Sequence, residues 1–380
     1  MNGPIRVAHV MGKMVGGGLE AVVMNYYRHI DRTRVQFDLL VDEDSTLVPR
    51  DEVENLGGRV IDVPPYQHIV SFSRELERCF REERWPIVHS HMNSLSVFAL
   101  RAAKRAGVPA RIAHSHSTGG SGELARNVMK AALKTQANRY PTHKLANTSY
   151  AGEWLFGKGS DFNLLFNAID LEDFRFDPGR RASVRDALGI LDSTFVVGHL
   201  GRFMQQKNHV FLIEAFARFV GLHPDTVLLL AGDGKLRDQI EDRVDVLGIA
   251  DRVVFLGQRA DASDLYQAFD CLAFPSFYEG LGIVLVEAQR AGLPCLVSEH
   301  VPRVADVTGT TEFLPIDNAG VWAKAMQRLA MSPARDRGLP GMDGCFTDYD
   351  IGSAAPRLVA YYEDLANGRA PMSLRTGCTC

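Results

Sequence analysis

No uninterrupted apolar run in this 380-residue sequence reaches the roughly 18 residues that a membrane-spanning helix needs. The opening "MNGPIRVAHVMG" lacks the long apolar core of a secretion signal and reads as a first strand. Charge of one sign is not in excess either. Lys+Arg number 42 and Asp+Glu 46, a net charge of −4, so nothing in the overall field draws the protein to nucleic acid. A basic groove interleaved with aromatics is also missing, and nucleic acid is not an expected partner. Cysteine is scarce: Cys79, Cys271, Cys295, Cys345, Cys378 and Cys380 are scattered, four of them in or near apolar segments. Buried free thiols in a reducing, cytoplasmic compartment are the expectation, not a disulfide framework. The metal-binding spacings H-x-x-E-H and C-x-x-C do not occur. Two D-x-D triplets, Asp42-Glu43-Asp44 and Asp348-Tyr349-Asp350, lie in polar, turn-like stretches and read as solvated loops. No metal or other cofactor is expected.

What the sequence does have is alternation. Short β-rich apolar runs alternate with helical patterns, the signature of parallel sheets with crossover helices. In the first half the runs are 5–11, 35–41, 59–64, 87–91, 110–116 and 143–149, with helical patterns at 19–30, 72–83, 94–106 and 122–138. Residues 164–190 carry turn residues and little strand character, and read as a linker. The alternation restarts at 195–201 and continues through 226–232, 252–257, 271–276, 294–298 and 312–315. We therefore expect an α/β protein of two doubly wound, Rossmann-like domains, 1–175 and 176–348. A helix within 349–370 would pack back on the first domain, and 371–380 would form a tail without periodicity.

Ligands of doubly wound sheets bind beyond the carboxyl ends of the strands. Three stretches stand there: "MGKMVGGGLE" (11–20), "GRFMQQKN" (201–208) and "SFYEGLG" (276–282). The last opens the segment "FYEGLGIVLVEA", in which Glu279 and Glu287 bracket a turn permitted by Gly280 and Gly282. A helix starting there presents free N–H groups and the positive end of its dipole, a ready anion site. With a pyrophosphate at that end, one acid meets hydroxyls hung on the distal phosphate and the other meets those on the proximal one. A sugar nucleotide has this form. Two ordinary solvated acids would fit the spacing too. Arg202 and Lys207, on the loop after the first strand of the second half, could clamp the diphosphate, or be solvated surface cations.

"GRFMQQKN", "AGDG" (231–234), "VVFLG" (253–257) and "PSFYEGLGIVLVEAQRAGLPCLVS" (275–298) resemble the retaining GT-B glycosyltransferases of glycosyltransferase family 4. "GGGLE", "IVHSH", "IAHSHS" and "NAIDLEDF" in the first half fit as well, so the resemblance covers about residues 5 to 330 and is closest to members that build capsular and exopolysaccharide repeat units. It implies two domains facing across a cleft. It implies Glu279 at the donor-sugar hydroxyls, Glu287 on the ribose, Arg202 and Lys207 on the diphosphate leaving group, and the N–H groups of Gly282 and Ile283, beside Gly280, on its phosphates. Gly16 and Gly17 would face the phosphates from the other domain, and His116, preferred to His114, would approach the sugar. One departure is Asn167-Ala168-Ile169-Asp170, where the family has glycine second; alanine resists positive φ, so the turn there should differ.

The implied function is transfer of a sugar from a nucleotide-sugar donor, expected to be UDP-linked, to a saccharide or lipid-linked saccharide acceptor, with retention, in surface polysaccharide biosynthesis. A sugar-nucleotide epimerase of similar shape and a non-catalytic nucleotide-sugar-binding subunit are the alternatives. Finally, Arg126, Lys130 and Lys134 recur every four residues in an apolar-backed helical pattern. That suits peripheral contact with an anionic membrane at its inner face, or a helix with a solvated basic side packed on its own sheet.

Overall fold

A computed structural model describes residues 3–116, 133–332, 337 and 342–374. Arg126 and Lys130 of the basic helical pattern, and residues 375–380 of the tail, lie outside the described residues. Two compact units make up the chain: residues 1–169 with 347–380, and residues 170–346. The chain leaves the first unit after Ile169 and re-enters it at Thr347, a few residues before the boundaries read from composition.

The first unit is built on a seven-stranded parallel sheet, in which β1 (Ile5–Gly12), β2 (Val35–Asp42), β3 (Arg59–Val63), β4 (Ile87–Ser90), β5 (Ala110–Ser115), β6 (His143–Ala146) and β7 (Asn163–Leu164) lie in the order β3-β2-β1-β4-β5-β6-β7. β2 is buried along its whole length, as a strand covered on both faces must be. Ala8, Val10, Leu40 and Val88 of the sheet share a core cluster with Phe72, Leu76 and Phe80 of the helix Ile69–Glu83, and with Ala99, Leu100 and Ala103 of the helix Ser96–Arg105. Asp38 is fully buried and binds Arg6, Arg59 and the Trp85 indole N–H, tying β1, β2 and β3 together at one end. The C-terminal helix Ile351–Ala366 packs on the helix Gly18–His29, β1 and β4. Asp350 caps it by accepting the N–H groups of Gly352 and Ser353.

In the second unit six parallel strands lie in the order β10-β9-β8-β11-β12-β13, namely β8 (Phe195–Leu200), β9 (Thr226–Ala231), β10 (Val253–Gly257), β11 (Cys271–Phe274), β12 (Cys295–Ser298) and β13 (Thr311–Leu314). Val197, Leu228 and Leu230 pack with Leu212, Ile213 and Phe216 of the helix His209–Val220 and with Trp322 and Met326 of the helix Ala319–Ala330.

Two sequence expectations need correction. Residues 164–190 are not a bare linker: β7 pairs with β6, and Pro178–Ala187 is a helix. The signal was present, since Asp177 accepts the Arg180 N–H as N-cap and Pro178 occupies the first turn. Asp42 is not in a solvated loop: it ends β2, is buried, and burial pushes its carboxyl up to about 6. Its neighbour Asp44 does stay at the surface, paired with Lys13. At Ala168 the chain turns without a left-handed residue, and the Ala168 carbonyl accepts a hydrogen bond from Asn25 Nδ2 at 2.7 Å. Cys79, Cys271 and Cys295 are buried free thiols. No helix among the described residues is long and apolar enough to cross a membrane.

Candidate active site

Each sheet reverses its strand order between its first and fourth strands, the place where an open parallel sheet leaves a crevice for ligand. In the second unit the reversal falls between β8 and β11, so loops 201–208 and 275–282 flank it. The two loops are hydrogen-bonded to each other. The Phe277 N–H donates to the Gln206 carbonyl at 2.9 Å, and Gln206 Nε2 donates to the Tyr278 carbonyl at 2.9 Å. From the far side "AGDG" supports the first loop. The Phe203 N–H donates to the Asp233 carbonyl at 2.9 Å. A Cβ at Gly232 would stand 2.1 Å from the Gly201 carbonyl oxygen, and one at Gly234 would stand 2.5 Å from that of Phe203, so only glycine lets the backbones approach.

Lys207 and Glu279 meet across this junction. Lys207 Nζ lies 2.7 Å from Glu279 Oε1, and their side chains are 14% and 8% exposed. The ammonium also sits 4.5 Å from the centre of the Phe274 ring. Neither residue is an ordinary solvated charge. Arg202 differs: it is exposed, and its guanidinium has no partner among the described residues. His199 and His209 stand close by but add no charge, because burial holds them down at about 4 and about 2.

Gly282, at φ +76°, caps the helix Ile283–Arg290, and the first N–H groups of that helix have no partner within it. The partial positive charge there and the ammonium of Lys207 belong to the same pair of loops. Glu287 lies one turn along. It accepts a hydrogen bond from the Tyr266 hydroxyl at 2.7 Å. Burial pushes its carboxyl up to about 7, against that hydrogen bond. Glu287 is therefore not on a solvated helix face. Nothing in the sequence pointed to Tyr266, which comes from the separate helix Ala262–Ala268.

The first unit reverses between β1 and β4. Gly16 has φ +75° and Gly17 caps the helix Gly18–His29. The N–H groups of Gly17 and Val15 both donate to the Glu20 carboxylate, so in the loop expected to face the phosphates the Gly17 N–H is already satisfied within the chain. In the same unit β1, β4, β5 and the residues that follow them carry five histidines. His9 Nδ1 meets His91 Nε2 at 2.9 Å, and His91 Nδ1 meets His116 Nε2 at 2.9 Å. In a second row the Tyr362 hydroxyl meets His89 Nδ1 at 2.7 Å, and His89 Nε2 meets His114 Nδ1 at 3.1 Å. Burial, then the neighbouring imidazoles, hold His9, His89, His91 and His114 well below the usual histidine range; burial alone brings His116 to about 3. His114 is buried, whereas His116 keeps part of its surface exposed at the strand end. The two His-Ser-His triplets were visible in the sequence, and a strand's two-residue period puts both rings of each on one face. Their meeting depends on β4 and β5 being neighbours, which the sequence does not state.

Residues 181–337 match the family described as glycosyl transferases group 1, and residues 17–164 match the glycosyl transferase 4-like domain. EpsF of Bacillus subtilis, named as a glycosyltransferase, is 34% identical over 343 residues, covering 86% of this chain and 88% of that protein. The chain belongs to the retaining group 1 glycosyltransferases of family 4. A second relative is the Escherichia coli UDP-Gal:alpha-D-GlcNAc-diphosphoundecaprenol alpha-1,3-galactosyltransferase, 24% identical over 77% of this chain and 79% of its own length. Among solved structures, Anabaena Alr3699/HepE in complex with UDP-glucose superposes with a TM-score of 0.75 at 19% identity, over 94% of this chain and 99% of that one, which places the glycosyltransferase in the GT-B fold. Membership of this family removes the epimerase and the non-catalytic subunit as readings. Family 4 glycosyltransferases generally act without a metal ion.

Proposed function

We propose that this glycosyltransferase moves a sugar from a UDP-linked donor to a saccharide or lipid-linked saccharide acceptor in surface polysaccharide biosynthesis. The observation that carries the reading is the pairing of part-buried Lys207 with buried Glu279 at the strand-order reversal, beside the start of the helix Ile283–Arg290. UDP-glucose in the HepE structure and UDP-Gal in the name of the E. coli relative support UDP as the carrier. The diphosphoundecaprenol acceptor of that relative supports a lipid-linked acceptor and work at the inner face of a cytoplasmic membrane.

In this reading the diphosphate takes up the N–H groups of Gly282 and Ile283 and draws Lys207 and Arg202 onto its oxygens. Glu279 receives the donor-sugar hydroxyls and Glu287 the ribose hydroxyls. The bond from the anomeric carbon to the phosphate oxygen breaks, and a bond to the acceptor oxygen forms on the same face. The acceptor's proton passes to the departing phosphate. Fixed positive charge aimed at the leaving oxygen is the largest contribution expected in such a site. A thermal-shift screen of UDP-, GDP- and ADP-sugars tests the reading: UDP-sugars should raise the melting temperature by mass action, and a chain that no nucleotide sugar stabilises would refute it.

Glu287 gives the site a pH dependence. Without ligand its carboxyl titrates at about 7; ribose hydroxyls donate to the ionised form, so binding lowers that value and expels a proton below it. Affinity for a UDP-sugar, which has no group titrating in this range, should therefore rise up to about tenfold between pH 6 and pH 8. In Glu287→Gln the affinity should be weaker and flat with pH. Calorimetric titration across that window checks it, and a wild-type dissociation constant that does not change removes Glu287 from the ribose.

A further inference from the structure

We propose that His91, His114 and His116 form a binding site for one divalent transition-metal ion of the Zn2+ class in the first unit. The three rings each offer a nitrogen, and these nitrogens lie within 4.8 Å of one another. Tetrahedral zinc on imidazoles holds its nitrogens about 3.3 Å apart, so small ring movements close the site. His114 Nε2 is buried and has no hydrogen-bond partner, while its Nδ1 is engaged by His89 Nε2. An uncompensated buried nitrogen is costly, and an ion is a group that would satisfy it.

The surroundings suit ligation. A ligating histidine nearly always has its other nitrogen held by a partner that fixes the ring. Here His91 Nε2 meets His9 Nδ1 at 2.9 Å, and His114 Nδ1 meets His89, which the Tyr362 hydroxyl holds in turn at 2.7 Å. The cost is the His91 Nδ1–His116 Nε2 hydrogen bond, which the ion replaces with two bonds to itself. His116 keeps part of its surface exposed, which gives an entry side and leaves a fourth position for water. The neighbouring triad His9, His89 and His91 also has nitrogens close enough for an ion. It is buried throughout and has no partly exposed ring to give an ion an entry side, so it serves as the support of the site and not as the site. Three imidazoles without a carboxylate favour zinc, copper, nickel or cobalt over magnesium or calcium.

This ion is no part of the transfer chemistry above. If His116 works at the donor sugar, a bound ion would hold it back and slow transfer, but that consequence rests on the proposed function, and the binding test does not. Protein without a histidine tag, stripped with EDTA and desalted, is titrated with Co2+ and followed by visible absorption. One equivalent should give the d–d bands of a nitrogen-ligated site, and one equivalent of Zn2+ should abolish them. His116→Gln and His114→Gln should each weaken Co2+ binding by more than about 100-fold, beyond the 10- to 100-fold that a supporting partner costs. His68→Gln, on an exposed histidine remote in sequence, should leave binding unchanged. Circular dichroism checks each variant, and if the buried His114→Gln does not fold, the rim variant His116→Gln decides. Absence of the bands in folded wild type, or undiminished binding in His116→Gln, overturns the site.

Discussion

Glu279→Gln should lower the turnover number by about 10²- to 10³-fold while the affinity for UDP stays within about threefold, the scale seen when one preorganised polar contact to the reacting group is lost. A loss of that size is about 2.7–4 kcal/mol of transition-state stabilisation. Glutamine keeps the volume and one acceptor oxygen. It removes the charge that Lys207 meets at 2.7 Å and that the donor-sugar hydroxyls would share. The nucleotide end of the donor does not depend on that carboxylate, so UDP should still bind. Steady-state rates and UDP titration of the same preparation separate the two effects. Normal turnover with collapsed UDP binding would move Glu279 from the sugar to the nucleotide.

Lys207→Ala should act differently, on both quantities. The Lys207 side chain is 14% exposed, which leaves its ammonium in a setting of weak screening where a charge aimed at the leaving diphosphate counts most. We expect turnover to fall at least about 10²-fold and UDP affinity to fall about tenfold. Part of the cost has another source: Glu279, 8% exposed, is left without its cation. The double variant Lys207→Ala/Glu279→Gln should therefore lose less than the two single losses multiplied together, as contacting residues do. Arg202→Ala, from an exposed position, should cost on the order of 10²-fold in turnover without that coupling. Activity within a few-fold of wild type for both single variants would remove the diphosphate clamp.

How far this could be read from sequence differs from residue to residue. The twelve runs named as strands all became parallel strands: central ones such as β2 are fully buried and so read as near-continuous apolar runs, while the edge strands β3, β10 and β13 are only part-buried. β7 escaped, being only two residues long. Asp42 misled because Asp-Glu-Asp looks solvated in isolation, whereas its burial is set by β2 and by the Tyr66 backbone that reaches it. In the candidate site, the loops and their charges were legible because glycine and the β-to-helix change mark such turns. The Lys207–Glu279 contact, 72 residues apart, was not, nor was the Tyr266 hydroxyl on Glu287. Sequence had sent the lysine to phosphate and the glutamate to sugar, and did not anticipate that they hold each other. The histidine cluster was missed for the same reason: metal-site spacings are local, and these rings come from β1, β4, β5 and the residues that follow them.

The central claim is that fixed cations and a helix start in the second unit expel UDP from the donor, with no metal in the reaction. It is tested most directly by transfer from UDP-sugars to undecaprenyl-diphosphate-linked saccharide acceptors in the presence of excess EDTA, with the product's anomeric configuration read by proton NMR. The account predicts transfer at the same rate with and without EDTA, one UDP released per sugar transferred, and a product linkage of the same configuration as the donor. Transfer that EDTA abolishes and magnesium restores, or a product of inverted configuration, would contradict it.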